Sequence, residues 1–364
     1  SYEAFTMYRN TKNVPYYVFG RGSLAQLGDL LKPRREAVDG PVVYFVDHFF
    51  RDHELIGRLP MEKGDQLHFV DSSSEPEVTR IDAFKEAVSA ADSRTPCCVV
   101  GIGGGNALDT AKAVANLLTN PGKAEDYQGW ELVKNPAVYK IGIPTLSGTG
   151  SECSRTCVLT NIPKNLKLGM NSDYTVYDQL LLDPDLLATV PRDQYFYTGI
   201  DTFMHCVESL QGSYRNAIID AFSVRAVQLC EEIFLSDDMM SEENREKMMI
   251  ASYIGGMAAG NVGVIHPFSA GLGVVLHVAH GLGNCLALNV LGDIYPKEYK
   301  QFRTMIERQG VNLPTGICKD LTEEQYEGLY RGCIVHEKPL TNALGPDFKQ
   351  ILTRENLIER YKSI

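Results

Sequence analysis

"CCVVGIGGGNALDTAKAVA", residues 97–115, joins a continuous apolar run to a run with apolar residues at helical spacing, through Gly103, Gly104 and Gly105. Strands covered on both faces read as unbroken Val/Ile-rich runs, so this stretch predicts a buried strand followed by a helix. Glycines at such a junction permit close backbone approach, and the first helical turn offers free N–H groups to a phosphate. The spacing is neither GxGxxG nor a phosphate loop ending in Lys-Ser/Thr. On the residues alone, phosphate binding and a tight packing turn both stand, the first favoured. Asn106 is expected to cap the helix, with Asp109 three residues on as its capping-box partner.

The same alternation extends outward. "PYYVFG" (15–20), "PVVYFVD" (41–47), "QLHFVD" (66–71) and "YKIGIP" (139–144) read as further short strands, separated by helical patterns such as "SLAQLGDLL" and "EVTRIDAFKEAVSAA". Strands alternating with helices imply a mostly parallel sheet covered on both faces. From about residue 190 long helical stretches take over, among them "NAIIDAFSVRAVQLCEEIF" and "EENREKMMIASYIGGMAAG". The expected architecture is an α/β domain over residues 1–188 and an all-helical domain over 189–364, joined at "DPDLLATVPRD" (183–193).

With 364 residues, 44% hydrophobic and 22% charged, the chain reads as a soluble globular protein of two domains. A net charge of −11 makes nucleic acid and anionic membranes poor partners. Nine cysteines, an odd number with no CxxC spacing, suit reduced thiols in the cytoplasm better than a disulfide framework. The opening "SYEAFTMYRN" looks like neither a signal nor a transit peptide. Residues 262–292 are long and apolar enough to raise a membrane span, but they carry His266, His277, His280, Pro267 and six glycines. Buried helices of a soluble domain fit that mixture better.

Two further stretches bear on a nucleotide. "PTLSGTGSE" (144–152) follows a strand and offers the hydroxyls of Thr145, Ser147, Thr149 and Ser151, although by itself an ordinary turn is favoured. Asp47 ends the strand "VVYFVD", where dinucleotide folds hold the adenosine ribose and disfavour a 2'-phosphate. The usual fingerprint has that acid follow the glycine loop; here it comes over fifty residues before it.

"GIDTFMHCVE" (199–208) places Asp201 and His205 four apart, on one helix face with Glu208. Alone, such a pair is more often a hydrogen bond. His266 and His280 add two imidazoles from an apolar setting, with Pro267, Gly271 and Gly273 expected to break the helix between them. One carboxylate with three imidazoles suits Fe(II) or Zn(II) and leaves a position open for substrate. Glu208 is expected to support His205. His277 reads as a proton carrier, a supporting group or plain core.

"GGGNALDTAK", "PTLSGTGSE", "GIDTFMHCVE" and "HPFSAGLGVVLHVAHG" together resemble, in order and spacing, the iron-containing (group III) alcohol dehydrogenases. The likeness runs over nearly the whole chain, and the superfamily also holds glycerol dehydrogenase and dehydroquinate synthase. It implies a dehydroquinate-synthase-like architecture, a homodimer, NAD, and one Fe2+ or Zn2+ held by Asp201, His205, His266 and His280. It places the cofactor on Asp47, Gly103, Gly104, Gly105, Asn106, Asp109, Thr145, Ser147 and Thr149. Val158 and Lys167, in "TCVLTNIPKNLKLG", match further cofactor contacts.

The chain also departs from the family. Ala270 stands where many members carry another histidine, so His277 is the candidate to replace it. Glu75 precedes Pro76 where Asn is frequent, and Arg155 stands where many members are apolar. A guanidinium there suits an acidic substrate, and a surface arginine is the equal reading. The overall look is similar to members that oxidise the terminal hydroxymethyl group of an eight-carbon sugar acid to an aldehyde. Rival readings are a glycerol, diol or short-chain alcohol dehydrogenase of the same family, a dehydroquinate-synthase-like lyase, and a binding protein with a structural metal.

Overall fold

The computed structural model describes residues 11–364; the decapeptide "SYEAFTMYRN" lies outside the described residues. The chain divides into two compact units, residues 11–146 with 151–187, and residues 147–150 with 188–364.

Nine strands are present among the described residues, all in the first unit: β1 (Tyr16–Phe19), β2 (Val42–Asp47), β3 (Gln66–Val70), β4 (Cys98–Gly103), β5 (Gly129–Trp130), β6 (Lys140–Pro144), β7 (Val158–Asn161), β8 (Leu166–Asn171) and β9 (Gln179–Leu182). Six form a sheet in the order β1-β9-β6-β4-β2-β3, with every pairing parallel. Four helices, α1 (Leu27–Ala37), α2 (Glu54–Gly57), α3 (Val78–Ala91) and α4 (Gly105–Leu117), belong to the same unit. Side chains alternate along β2 between two cores. Val42, Tyr44 and Val46 pack with Val100, Ile102, Ile141 and Ile143, whereas Val43 and Phe45 pack with Val99, Ala111 and Val114. Burial on both faces is why β2 and β4 read as unbroken apolar runs.

The sequence reading missed β9, a four-residue run inserted between β1 and β6, and the smaller sheet β5-β8-β7. β5, β7 and β9, of two to four residues, carry too few to show a period of two.

The second unit contains no strand among its described residues. Its helices are α5 (Arg192–Gln211), α6 (Ala217–Phe234), α7 (Glu242–Gly255), α8 (Ile265–Leu276), α9 (His280–Asn289), α10 (Pro296–Gln309), α11 (Glu323–Ile334), α12 (Glu337–Leu344), α13 (Phe348–Ile351) and α14 (Arg354–Lys362). Every residue of α5 from Gly199 to Ser209 is buried, so its polar side chains must find partners inside the protein. Residues 147–150 are tied to this unit: Gly148 N–H donates to Ser252 Oγ at 2.8 Å, and Thr202 Oγ1 donates to Gly148 O at 2.9 Å.

The expected helix break at Pro267, Gly271 and Gly273 is corrected. α8 runs through all three and stops at His277, which adopts the left-handed conformation (φ 57°). Pro267 lies in the first turn, where the missing N–H has no intrahelical acceptor to lose. No described helix is long and apolar enough to cross a membrane. All nine cysteines are free and buried.

Candidate metal centre and dinucleotide edge

Three helices supply one polar cluster in the helical unit. Asp201 and His205 come from α5, His266 from the first turn of α8, and His280 from the first residue of α9. His266 Nε2 lies 2.8 Å from Asp201 Oδ1, His280 Nε2 3.1 Å from Asp201 Oδ2, and His205 Nδ1 3.4 Å from Asp201 Oδ1. Ligand atoms of Asp201, His205 and His266 all lie within 4.8 Å of one another. His280 is the solvent-facing member, with 39% of its side chain exposed.

Glu208 was expected beside His205; the structure corrects this. Its Oε1 contacts His266 Nδ1, and its Oε2 accepts from the N–H groups of Gly263 (2.6 Å), Ile265 (3.0 Å) and His266 (3.4 Å). Tyr295 Oη accepts from Val264 N–H at 3.0 Å, and Pro267 has none to offer. The buried start of α8 therefore has its donors satisfied from outside the helix, largely by Glu208. Through the same carboxylate, Glu208 fixes the ring that brings His266 Nε2 to Asp201, as carboxylates behind ligand histidines do.

The electrostatics of the cluster call for positive charge. Burial raises the Asp201 carboxyl, but His280 and His266 outweigh it and hold Asp201 well below the usual carboxylate range. Burial opposes charge on His205, yet the Asp201 hydrogen bond carries it up to about 10. Burial likewise opposes charge on His266, which Glu208 and Asp201 bring to about 9. Two buried carboxylates thus draw protons onto neighbouring imidazoles. His205 Nε2 is itself buried without a hydrogen-bond partner. An orphaned imidazole nitrogen beside a carboxylate and further imidazoles fits a nitrogen- and oxygen-binding divalent metal such as Fe(II) or Zn(II).

In the α/β unit, Asp47, Gly103 and Thr145 meet at the carboxyl ends of adjacent parallel strands. β2 leads outward to β3 while β4 leads the other way to β6, so strand order reverses between β2 and β4. Open α/β sheets bind ligands at such a point. Asp47 is therefore beside the glycine loop despite its distance in sequence, which resolves the apparent misordering of the fingerprint. Its Oδ1 accepts from Phe49 N–H at 3.0 Å and from Ser72 Oγ at 3.1 Å. Thr145 N–H donates to Gly103 O at 3.0 Å.

Gly103 has φ +151°, and a Cβ there would lie 2.7 Å from Ala107 Cβ and 2.9 Å from Asp47 Cβ. At Gly104 an added Cβ would meet only Leu146, at 3.5 Å or more. Gly103→Ala is accordingly expected to cost about 1–3 kcal/mol of stability. Gly104→Ala should leave the Tm unchanged, because the methyl meets Leu146 only at ordinary contact distance. Thermal melts check both.

The expected cap at Asn106 is also corrected. α4 begins at Gly105, and its N-cap Gly104 supplies no side-chain hydrogen bond. Asn106 Nδ2 instead donates to Ser72 O (3.2 Å) and Ser74 O (2.9 Å). The first turn of α4 keeps its N–H groups free of a side-chain cap, the arrangement that suits a phosphate. Asp109 Oδ2 accepts from Val158 N–H at 3.2 Å. Lys112, which sequence reasoning passed over, is buried and donates to Ser151 O, Ser154 O and Thr156 O. Lys167 pairs with Glu75. Thr145 belongs with this unit, whereas Ser147 and Thr149 belong with the helical one.

Burial pushes the Asp109 carboxyl up to about 6, against the pull of Lys112. A raised carboxyl contributes stability that is complete below the ordinary carboxylate range and lost as pH rises through the folded value. Asp109→Asn cannot ionise, so its Tm advantage over wild type should be larger at pH 7 than at pH 5, by a few degrees.

Arg155 does not stand free for an acidic substrate. Its Nε donates to Asp173 Oδ1 at 2.8 Å and its Nη2 to Glu131 Oε1 at 2.6 Å, so two carboxylates already take its charge. His277 is exposed at the end of α8, and Ala270 is half-buried.

Comparison with known proteins agrees with this geometry. Residues 15–184 match the model of the iron-containing alcohol dehydrogenases, and residues 195–328 match the C-terminal model of the same Fe-containing family. The chain belongs to the iron-containing alcohol dehydrogenase family, a family of oxidoreductases. It is 34% identical over 220 residues to a sulfoacetaldehyde reductase of Bilophila wadsworthia, covering 59% of this chain and 56% of that relative. It is 29% identical to the NAD-dependent methanol dehydrogenase of Bacillus methanolicus over 74% of this chain and 71% of the relative. The crystal structure of sulfoacetaldehyde reductase from Bifidobacterium kashiwanohense in complex with NAD+ superposes with a TM-score of 0.79 at 24% identity, covering 98% of each chain. At that identity the likeness speaks for the fold alone.

Proposed function

We propose that this chain is a metal-dependent, NAD-linked alcohol dehydrogenase interconverting a primary alcohol of a small polar substrate and its aldehyde. The observation that carries the reading is the convergence of Asp201, His205, His266 and His280 from three helices, with His205 Nε2 unpartnered in the interior. A divalent cation held by these four residues would supply Lewis acidity, which would lower the pKa of a substrate hydroxyl and favour charge on its oxygen when the neighbouring carbon gives up hydride to the nicotinamide.

The remaining work falls to the chain's own residues. Asp201 and Glu208 set two buried carboxylates against the positive charge of the site. Glu208 orients His266, and exposed His280 leaves an approach from solvent. His277, between the two ligand-bearing helices, is the group to carry the proton outward in the absence of a histidine at Ala270. Asp47 accepts hydroxyl donors from the ribose and repels a 2'-phosphate, so NAD is used in preference to NADP. Gly103, Gly104, Gly105 and Asn106 place the start of α4 against the pyrophosphate, and Asp109, Thr145, Val158 and Lys167 of the same unit add further cofactor contacts. The working form is a cytoplasmic homodimer.

The finer reading of substrate is the terminal hydroxymethyl group of 3-deoxy-manno-octulosonate. The likeness to sulfoacetaldehyde reductase favours a second: reduction of a short aldehyde that bears an anionic group. Metal-free, iron-loaded and zinc-loaded protein should be screened for NADH formation with that sugar acid, glycerol and propanediol, and for NADH consumption with sulfoacetaldehyde. Turnover by a loaded form alone supports the proposal. Substrate consumed without net NADH change points to a lyase and overturns it.

A further inference from the structure

Asn284 lies on α9 one turn beyond His280 and is completely buried, and it belongs to none of the ligand or cofactor positions named above. Its Nδ2 is 3.0 Å from Asp201 Oδ1, 3.3 Å from His280 Nε2 and 3.5 Å from His266 Nε2. We infer that Asn284 is the positioning residue for the Asp201 carboxylate when the site holds its cation, an inference that rests on the metal-dependent reading above.

The argument turns on which groups can donate to Asp201. In the structure the carboxylate is met by His266 Nε2, His280 Nε2 and, more distantly, His205 Nδ1. An imidazole nitrogen that gives its lone pair to a cation carries no proton and can no longer donate. Once His266 and His280 bind through Nε2, Asn284 remains as the short N–H donor to Asp201. An amide nitrogen has no basic lone pair, so it does not compete for the cation. The reverse amide orientation would set an oxygen against Asp201 Oδ1, so the donor orientation is the favourable one. Asn284 Oδ1 is buried with no hydrogen-bond partner. Carboxylates that bind metals are themselves held by hydrogen bonds, and loss of such support costs about 10- to 100-fold in metal affinity.

The test is cobalt(II) titration of the full chain, followed through the visible absorption of the bound ion and by competition with a chelator. Wild type, Asn284→Ala and the near-isosteric Asn284→Leu are compared, with circular dichroism reporting the fold; if one variant misfolds, the other decides. Wild type should bind one equivalent, and the folded variants should bind about 10- to 100-fold more weakly with an altered spectrum. Wild-type affinity and spectrum in a folded variant would overturn the inference and leave the metal reading intact. Weaker binding with an unchanged spectrum marks a structural role and also overturns it. Wild type that binds no cobalt overturns the metal reading, and the inference with it.

Discussion

Asp201→Ala should abolish stoichiometric metal binding and lower turnover by roughly a thousandfold or more, the scale of losing several kcal/mol of stabilisation at the reacting oxygen. Asp201 is the hub of the cluster: both of its oxygens are engaged, by residues from α5, α8 and α9. Alanine leaves the imidazoles facing one another with no anion between them. Metal content of the purified variant, read beside its NADH formation rate, checks the prediction. Full activity in a metal-free variant would contradict it, as it would for His280→Ala.

Glu208→Ala is expected to be the most destabilising single change near the site, at about 3–5 kcal/mol, because it strips one member from a buried polar network. Three backbone N–H groups at the start of α8 and His266 Nδ1 lose their acceptor together. Glu208→Gln separates the two duties of this side chain. The amide oxygen can still receive backbone N–H groups, so the stability loss should be smaller. The carboxylate charge behind His266 is gone, so metal affinity should fall about 10- to 100-fold. Urea unfolding of the metal-free proteins and chelator competition measure the two effects independently.

These residues show where the sequence is readable and where it is not. Asp201, His205, His266 and His280 were legible because each is a metal-binding side chain in an apolar stretch, and the structure gathers them around one carboxylate. Asn284 was as accessible to the same reasoning, lying four residues after His280 on its helix face, but asparagine is not a usual metal ligand. Glu208 was placed on the right face of α5 and given the wrong partner. Helix geometry orders side chains along one helix and is silent about which neighbour packs against it.

The cofactor edge divides in the same way. The strand 98–103 and the helix after it follow from apolar pattern and glycine chemistry. That Asp47 lies beside Gly103 depends on strand order, which no local pattern encodes. Asn106 looked like a cap by residue type, but Ser72 O and Ser74 O compete for its amide and win. Arg155 was judged by its charge alone, and its partners Glu131 and Asp173 come from other segments of the chain.

The most direct measurement uses a primary alcohol deuterated at its carbinol carbon, with NAD+ and the iron- or zinc-loaded protein, before and after chelation. The account predicts one deuterated NADH for each aldehyde formed, lost on chelation and restored by returning the metal. Deuterium in NADH after complete metal removal, or consumption of the alcohol with no net NADH from the loaded protein, would contradict it.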